Sequence, residues 1–448
     1  MEFAFIFLLC SIIFLLIYLK KPDDLIILLM FSIFIINWLA DGLYILPHAS
    51  TWLIELIIFF LFLISLFPKM ISINQIDTGP FGTMLISLII FSVFGSFIHF
   101  ISIFDFLLGI RYLFKYVFFY FILINLNLGL KEYKRIFKYW IMMVSLQPFI
   151  GGYQHFVEGK IADQVFGTLL SNSFQSILLI TLILYLLDQK FESLFWRFSK
   201  YIIIILSLTI IPLYGEVKAF FYFFPLALFI KNLHSIKNLN FLSIIKISSA
   251  ALIGIAILQT LFFNIWKVQL FDFKNISLND FSFAQGAESI SSLDNNQASI
   301  AISLSERLLT LLALYNFISE DKSRIVFGDG LGSNIFTYDT RNDFTRQQIG
   351  GISGEELYIK KFTIGRIIQN IGVIGFLLLL FIIYRIGAMS YKISQRKIDP
   401  FLKTIYQMIP VFSVIFIIYI FYSDPFSDAI SFTYWFLISS LRFEKIDN

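Results

Sequence analysis

The chain has 448 residues, 58% of them hydrophobic and 14% charged, with a net charge of +4, whereas an ordinary soluble domain is about 45–50% apolar and about 25% charged. Its mean hydropathy is +0.82. Most of the chain therefore needs lipid as its solvent, which excludes a soluble enzyme, a nucleic-acid-binding module and a disordered scaffold. The single cysteine, Cys10, lies in an apolar run and leaves no disulfide framework or cysteine metal site within one chain. The histidines His48, His99, His155 and His234 are scattered, so a histidine-rich zinc site is not expected.

Crossing the hydrocarbon takes about 20 apolar residues as helix. The sequence holds about thirteen runs that approach this length, near 3–19, 24–40, 50–67, 82–101, 105–126, 136–152, 168–187, 201–213, 216–230, 243–264, 367–386, 404–422 and 426–441. The predicted fold class is all-α, a polytopic integral membrane protein. The first run follows Glu2 with no preceding basic residue and no small-residue cleavage site, so it reads as a span with its N-terminus outside and not as a cleavable signal. The pair 201–213 and 216–230 is short, and reads as two tilted spans meeting at Pro212–Leu213–Tyr214–Gly215.

With Met1 outside and spans alternating, roughly 20 of the 34 Lys and Arg fall in inner loops, as the positive-inside rule asks. Short outer loops hold only Lys160. This orientation puts the C-terminus in the cytoplasm. It also leaves one long outer segment, 265–366, between spans ten and eleven. A membrane span at 300–318 would bury Glu306 and Arg307 and reverse the basic 385–403 loop. Residues 296–318 are therefore expected to form an amphipathic helix outside the membrane. Residues 1–448 read as a single membrane domain with one external lobe, and so long a connection is expected to be functional.

Charged residues within spans are costly and flag chemistry. Arg111 and Lys115 are one turn apart on one face of the fifth span. They either snorkel to the outer headgroups or form an anion site for phosphate or pyrophosphate. No acid stands four residues away, and Asp105 could pair with them only if the span bends. Lys218, in Gly215–Glu216–Val217–Lys218, adds a basic group at the same outer mouth, or pairs with Glu216. In the outer segment, Arg307 precedes Phe327–Gly328–Asp329–Gly330–Leu331–Gly332, whose glycines read as a tight turn that lets backbones approach. Arg341, Arg346, Glu355, Glu356, Lys360, Lys361 and Arg366 then lead back into the membrane, as a solvated face or as a lobe that holds an anionic headgroup and sugars. His155 follows the sixth span as a lone interfacial histidine.

The order of these features resembles the O-antigen polymerase and ligase superfamily of bacterial envelopes, in particular its Wzy-type polymerases, over roughly residues 105–390. The resemblance rests on Arg111–Tyr112–Leu113–Phe114–Lys115–Tyr116, on Gln154 with Phe166–Gly167–Thr168, and on Gly215–Glu216–Val217–Lys218–Ala219. It continues through Arg307 with the Phe327–Gly332 turn, Glu355–Glu356–Leu357, and Asn370–Ile371–Gly372–Val373–Ile374–Gly375. Ligases of the superfamily carry a histidine shortly before that last motif. Here the region reads Lys360–Lys361–Phe362, which favours polymerase.

What the resemblance implies is a glycosyltransferase of the bacterial inner membrane, with a glycosyltransferase-C-like fold, an external periplasmic lobe, no cofactor and no metal. It would move a growing glycan from undecaprenyl pyrophosphate to the non-reducing end of a newly arrived lipid-linked repeat unit. Implied partners are that undecaprenyl-pyrophosphate-linked oligosaccharide, membrane lipid, a chain-length regulator and a flippase, with no nucleic acid. Basic groups would take the charge that grows on the leaving pyrophosphate. Arg307, Lys218, Arg111 and Lys115 are the candidates, with Arg341, Arg346, Glu355 and Arg366 as further substrate-binding residues. Glu356, Glu355 and His155 are candidates for activating the attacking hydroxyl. A lipid-linked oligosaccharide flippase or other transporter, or an O-antigen ligase, is the competing expectation.

Overall fold

The computed structural model describes residues 21–71, 76–126, 128–190, 192–232, 260, 314–315, 317–319, 322–333, 363–396, 398–422 and 424–446. Every regular element among them is helical. Six helices among the described residues are long and apolar enough to cross a membrane: Pro22–Gly42, Ser50–Ile71, Ile103–Asn125, Leu194–Tyr214, Thr363–Ser394 and Pro400–Phe421. Gly82–Ile98 and Asn172–Asp188 are apolar but shorter. The expected span at 3–19 lies outside the described residues, and of 243–264 only residue 260 is described.

In chain order the helices are α1 (Pro22–Phe31, continued by π-helical turns to Gly42), α2 (Leu53–Ser65), α3 (Phe67–Ile71), α4 (Gly82–Ile98) and α5 (Ile103–Asn125). Then come α6 (Leu130–Phe156), α7 (Asn172–Asp188), α8 (Leu194–Thr209, continued by a π-helical turn to Tyr214) and α9 (Lys218–Lys231). The last are α10 (Ser323–Phe327), α11 (Thr363–Ser394), α12 (Pro400–Tyr422) and α13 (Asp428–Ser439). Three differ instructively from the expected runs. Helix α6 begins at Leu130, not near 136, because the charged stretch Lys131–Lys138 is its first two turns. Helix α8 begins at Leu194, with exposed Phe195, Trp196 and Phe198 as an aromatic end. Helix α11 is broken at Gly372, where φ is +71°.

In lipid, apolar side chains gain little from mutual burial, so close packing and polar bonds hold the helices together. Helix α13 is the centre of this bundle: Ala429 through Ser439 are all buried. It runs against the C-terminal half of α5, where Phe119 stacks on Phe432 at 5.2 Å. Tyr133 of α6 stacks on Phe436 at 4.6 Å, and its hydroxyl donates to the Phe436 carbonyl at 2.9 Å. Trp140 Nε1 donates to Thr433 Oγ1 at 2.9 Å, and Tyr434 shares a 2.9 Å hydrogen bond with Ser413 of α12. By contrast α4 and α8 turn Ile90, Phe94, Phe97 and Ile205 outward.

The helix ends sort into two groups. At one end Arg135 grips Asp23 and Asp24, Lys134 meets Asp399 at 3.0 Å, and Arg396 pairs with Glu444. Lys231 bridges Asp188 and the Leu184 carbonyl, each at 2.7 Å. Arg442 donates to the carbonyls of Leu123, Ile124 and Leu128, so a cation closes the C-terminal end of α5. Burial pushes the Asp399 carboxyl upward. Lys134 and the amides of Leu402 and Phe401 outweigh it and hold that carboxyl below its usual range. Toward the opposite end lie the N-termini of α5, α7 and α11, with those of α2 and α13 set deeper, level with the middle of α5.

Part of the expected outer lobe is described. Residues 322–333 pack onto α4 and α11 as a glycine-rich turn. Asp329 N donates to the Gln369 carbonyl at 2.6 Å, Leu331 N to Ser96 Oγ at 2.8 Å, and Gly332 N to Asn370 Oδ1 at 2.7 Å. Gly332 has a φ of +91°, and a Cβ there would lie 1.8 Å from the Asp105 carbonyl oxygen. Only glycine fits, as the alternating glycines predict. Of the expected 296–318 helix, 314–315 and 317–318 are described and helical, with Leu314 and Phe317 buried.

Candidate functional site

Halfway along α5, a set of charged side chains meets. Lys115 is twelve positions beyond Ile103, so at about 1.5 Å per residue it sits about 18 Å along the helix. The helices that face it, α2 and α13, begin at that level: Glu55 is in the first turn of α2 and Asp428 is the first residue of α13. Glu55 Oε1 accepts from Arg111 Nη2 at 2.7 Å, from Arg111 Nε at 3.0 Å and from Lys115 Nζ at 3.2 Å. Lys115 Nζ also donates to Asp428 Oδ1 at 2.5 Å. The Arg111 guanidinium lies over the Trp52 ring at 4.6 Å and remains 42% exposed, while Lys115 is 12% exposed. The position of Asp428 at a helix N-terminus favours its negative charge.

Tyr112, between the two cations, extends the network. Its hydroxyl meets both carboxylate oxygens of Asp424 at 3.3 Å, and its ring packs on Phe426 at 5.6 Å. Asp424 Oδ2 also accepts from Arg366 Nη2 at 3.3 Å, and Asp424 Oδ1 from the Phe426 amide at 3.0 Å. The Arg366 guanidinium stands over the Tyr112 ring at 5.4 Å and donates to Thr363 Oγ1 at 3.2 Å. Three cations thus face three carboxylates: Arg111, Lys115 and Arg366 against Glu55, Asp428 and Asp424.

Asp105 has a different role from the pairing weighed on sequence. It accepts from Ser102 Oγ at 2.6 Å while its own amide donates to that oxygen at 3.1 Å, a reciprocal cap on the N-terminus of α5. The acids that balance Arg111 and Lys115 come from other helices. Sequence reading missed Glu55, Asp424 and Asp428. The available signal was an acid inside or at the edge of an apolar run, the flag that singled out the basic residues.

A second assembly lies at the same end of the bundle. Gln154 Oε1 accepts from the amides of Phe166 and Gly167, and its Nε2 donates to the Gly167 carbonyl at 2.7 Å. Gln147 Oε1 accepts from Thr168 N and Oγ1 and from Gln175 Nε2. Asn172 Nδ2 donates to the Gly215 carbonyl at 2.6 Å, tying the α8–α9 turn to α7. The Tyr419 hydroxyl of α12 donates to the Ser173 carbonyl at 2.7 Å and links this assembly to the helix that leads to Asp424. Lys218 opens α9 and stands 3.7 Å from Glu216. His155 Nδ1 is 2.8 Å from the Lys160 carbonyl, and its ring stacks on Tyr214 at 4.1 Å, which fits a structural histidine. Arg307, Arg341, Arg346, Glu355 and Glu356 lie outside the described residues.

Among the described residues, no group of three His, Cys, Asp or Glu is arranged to hold a metal ion. The three cations and three carboxylates of the network balance, and Arg111 is the most exposed of the cations, so it is the member an arriving anion meets first. No protein-family model matches this sequence, and no curated protein matches it.

Proposed function

We propose that this chain is a polysaccharide polymerase of the bacterial inner membrane. It transfers a growing glycan from undecaprenyl pyrophosphate to the non-reducing end of a new lipid-linked repeat unit. One observation carries the reading. Parts of the sequence that resemble the O-antigen polymerases, far apart along the chain, meet toward one end of the bundle: Arg111–Tyr112–Lys115, the Phe327–Gly332 turn and Asn370–Gly372, with Arg366 one turn before them over Tyr112. The cations they contribute are of the kind a lipid pyrophosphate needs.

In this reading Met1 lies outside, about thirteen spans alternate, and 265–366 forms the periplasmic lobe. The pyrophosphate of the donor exchanges with Glu55 for Arg111 and Lys115, while Asp428 stays on Lys115 and Asp424 on Arg366. Arg111 still has donors turned to solvent, and an arginine can bind phosphate oxygens in pairs. As the bond from the sugar carbon to the pyrophosphate oxygen breaks, negative charge grows on the leaving group. Cations already fixed in a partly dry site stabilise it with little reorganisation. The donor is preactivated, so no nucleotide is consumed.

Deletion of the gene tests the reading in the cell. Cells should keep single repeat units and lose the ladder of longer chains, because chain growth is lost while export remains. Loss of even the single capped unit would point instead to a flippase or a ligase.

A further inference from the structure

Glu55 is bonded on one side only. Its Oε1 accepts three hydrogen bonds from Arg111 and Lys115. Its Oε2 is buried and has no hydrogen-bond partner among the described residues. Buried polar atoms are nearly always satisfied, so an empty carboxylate oxygen beside two cations calls for an explanation. The neighbouring acids are committed. Asp428 holds Lys115 at the start of α13, and Asp424 takes Tyr112, Arg366 and the Phe426 amide.

We propose that Glu55 accepts the proton of the attacking sugar hydroxyl, and that it is released to do so only when the donor's pyrophosphate has taken over Arg111 and Lys115. The inference rests on the polymerase reading above. At rest the carboxylate is pinned through Oε1 and its free oxygen is covered. Binding of the pyrophosphate supplies both cations with new partners, so the Glu55 side chain is freed beside the reacting centre. The acceptor hydroxyl then gives its proton to Glu55, and its oxygen forms the new bond to the sugar carbon. The bond from that carbon to the pyrophosphate oxygen breaks, and the electron pair leaves with undecaprenyl pyrophosphate. When the product departs, Arg111 and Lys115 reclaim Oε1 and the proton passes to water. The arrangement also orders the reaction. Glu55 becomes available as a base only once the donor is bound.

The test uses the full chain in lipid nanodiscs, with undecaprenyl pyrophosphate as the binding probe and lipid-linked repeat units as substrate. Glu55→Gln removes the carboxylate that competes for Arg111 and Lys115. It should bind the probe as tightly as wild type or several-fold more tightly, while the rate of chain extension falls by about 100-fold or more, the usual weight of a general base. A purely structural role would not separate the two readouts in this direction. Chain extension by Glu55→Gln at the wild-type rate would overturn the inference and leave the polymerase reading standing. If wild type neither binds the probe nor extends chains, the polymerase reading itself falls. If Glu55→Gln does not fold, Glu55→Asp decides. It keeps the charge but withdraws the carboxylate by one methylene, so slowed extension with unchanged probe binding supports the inference, and an unchanged rate refutes it.

Discussion

Lys115 holds two carboxylates at once, Glu55 at 3.2 Å and Asp428 at 2.5 Å, within a helix expected to cross the membrane. Removing one member of a largely buried pair leaves the others uncompensated, and this costs more than the pair contributes. Lys115→Ala should therefore destabilise the folded protein by on the order of 2 kcal/mol. Lys115→Ala combined with Asp428→Ala should recover part of that loss, because residues in one network are not additive. Thermal unfolding of both variants in detergent, compared with Asp428→Ala alone, measures the coupling; strictly additive losses would mean that the pair is not formed. These pairs also mark where the sequence stopped being legible. Arg111 and Lys115 stood out because charge in an apolar run is conspicuous. Their partners lie 56 and 313 positions away from them, beyond any rule about neighbours on one helix. Glu55 carries the same signal of charge in an apolar run, and only the fold shows which cations it serves.

Among the described residues helix existence is mostly legible in the sequence, whereas helix ends are not. Helices α6 and α8 start before their apolar runs because each opens with charged or aromatic residues that break the run without breaking the helix. The turn at Gly215 and the glycine turn at 328–332 were readable, since their residue types are dictated by backbone shape. What that turn packs against was not readable. It docks on Ser96, Asp105 and Asn370, contributed by α4, α5 and α11. Two glycines with positive φ give a direct comparison. Gly159, at φ +70°, has nothing within 4 Å of a would-be Cβ, whereas at Gly332 the Asp105 carbonyl stands 1.8 Å away. Gly159→Ala should cost about 1 kcal/mol, the strain of the left-handed region alone. Gly332→Ala should cost about 3 kcal/mol or more, because α5 must move. The yield of folded protein and its melting temperature report both; equal costs would mean that the turn does not seat against α5.

Across the whole molecule, two ends of a helical bundle carry different chemistry. One end is laced by Arg135, Lys134, Lys231, Arg396 and Arg442 to acids and carbonyls, and these are residues that the positive-inside rule assigns to inner loops. The other end holds the balanced network of Arg111, Lys115 and Arg366 beneath the glycine turn. The proposed polymerase needs an anion site of that kind, a base for the attacking hydroxyl and a preactivated donor. The most direct measurement is therefore chain extension by the purified full-length protein in nanodiscs, supplied only with undecaprenyl-pyrophosphate-linked repeat units. The account predicts a ladder of lengthened glycans, with one undecaprenyl pyrophosphate released for each unit added. Recovery of single units alone, from folded protein that binds them, would contradict it.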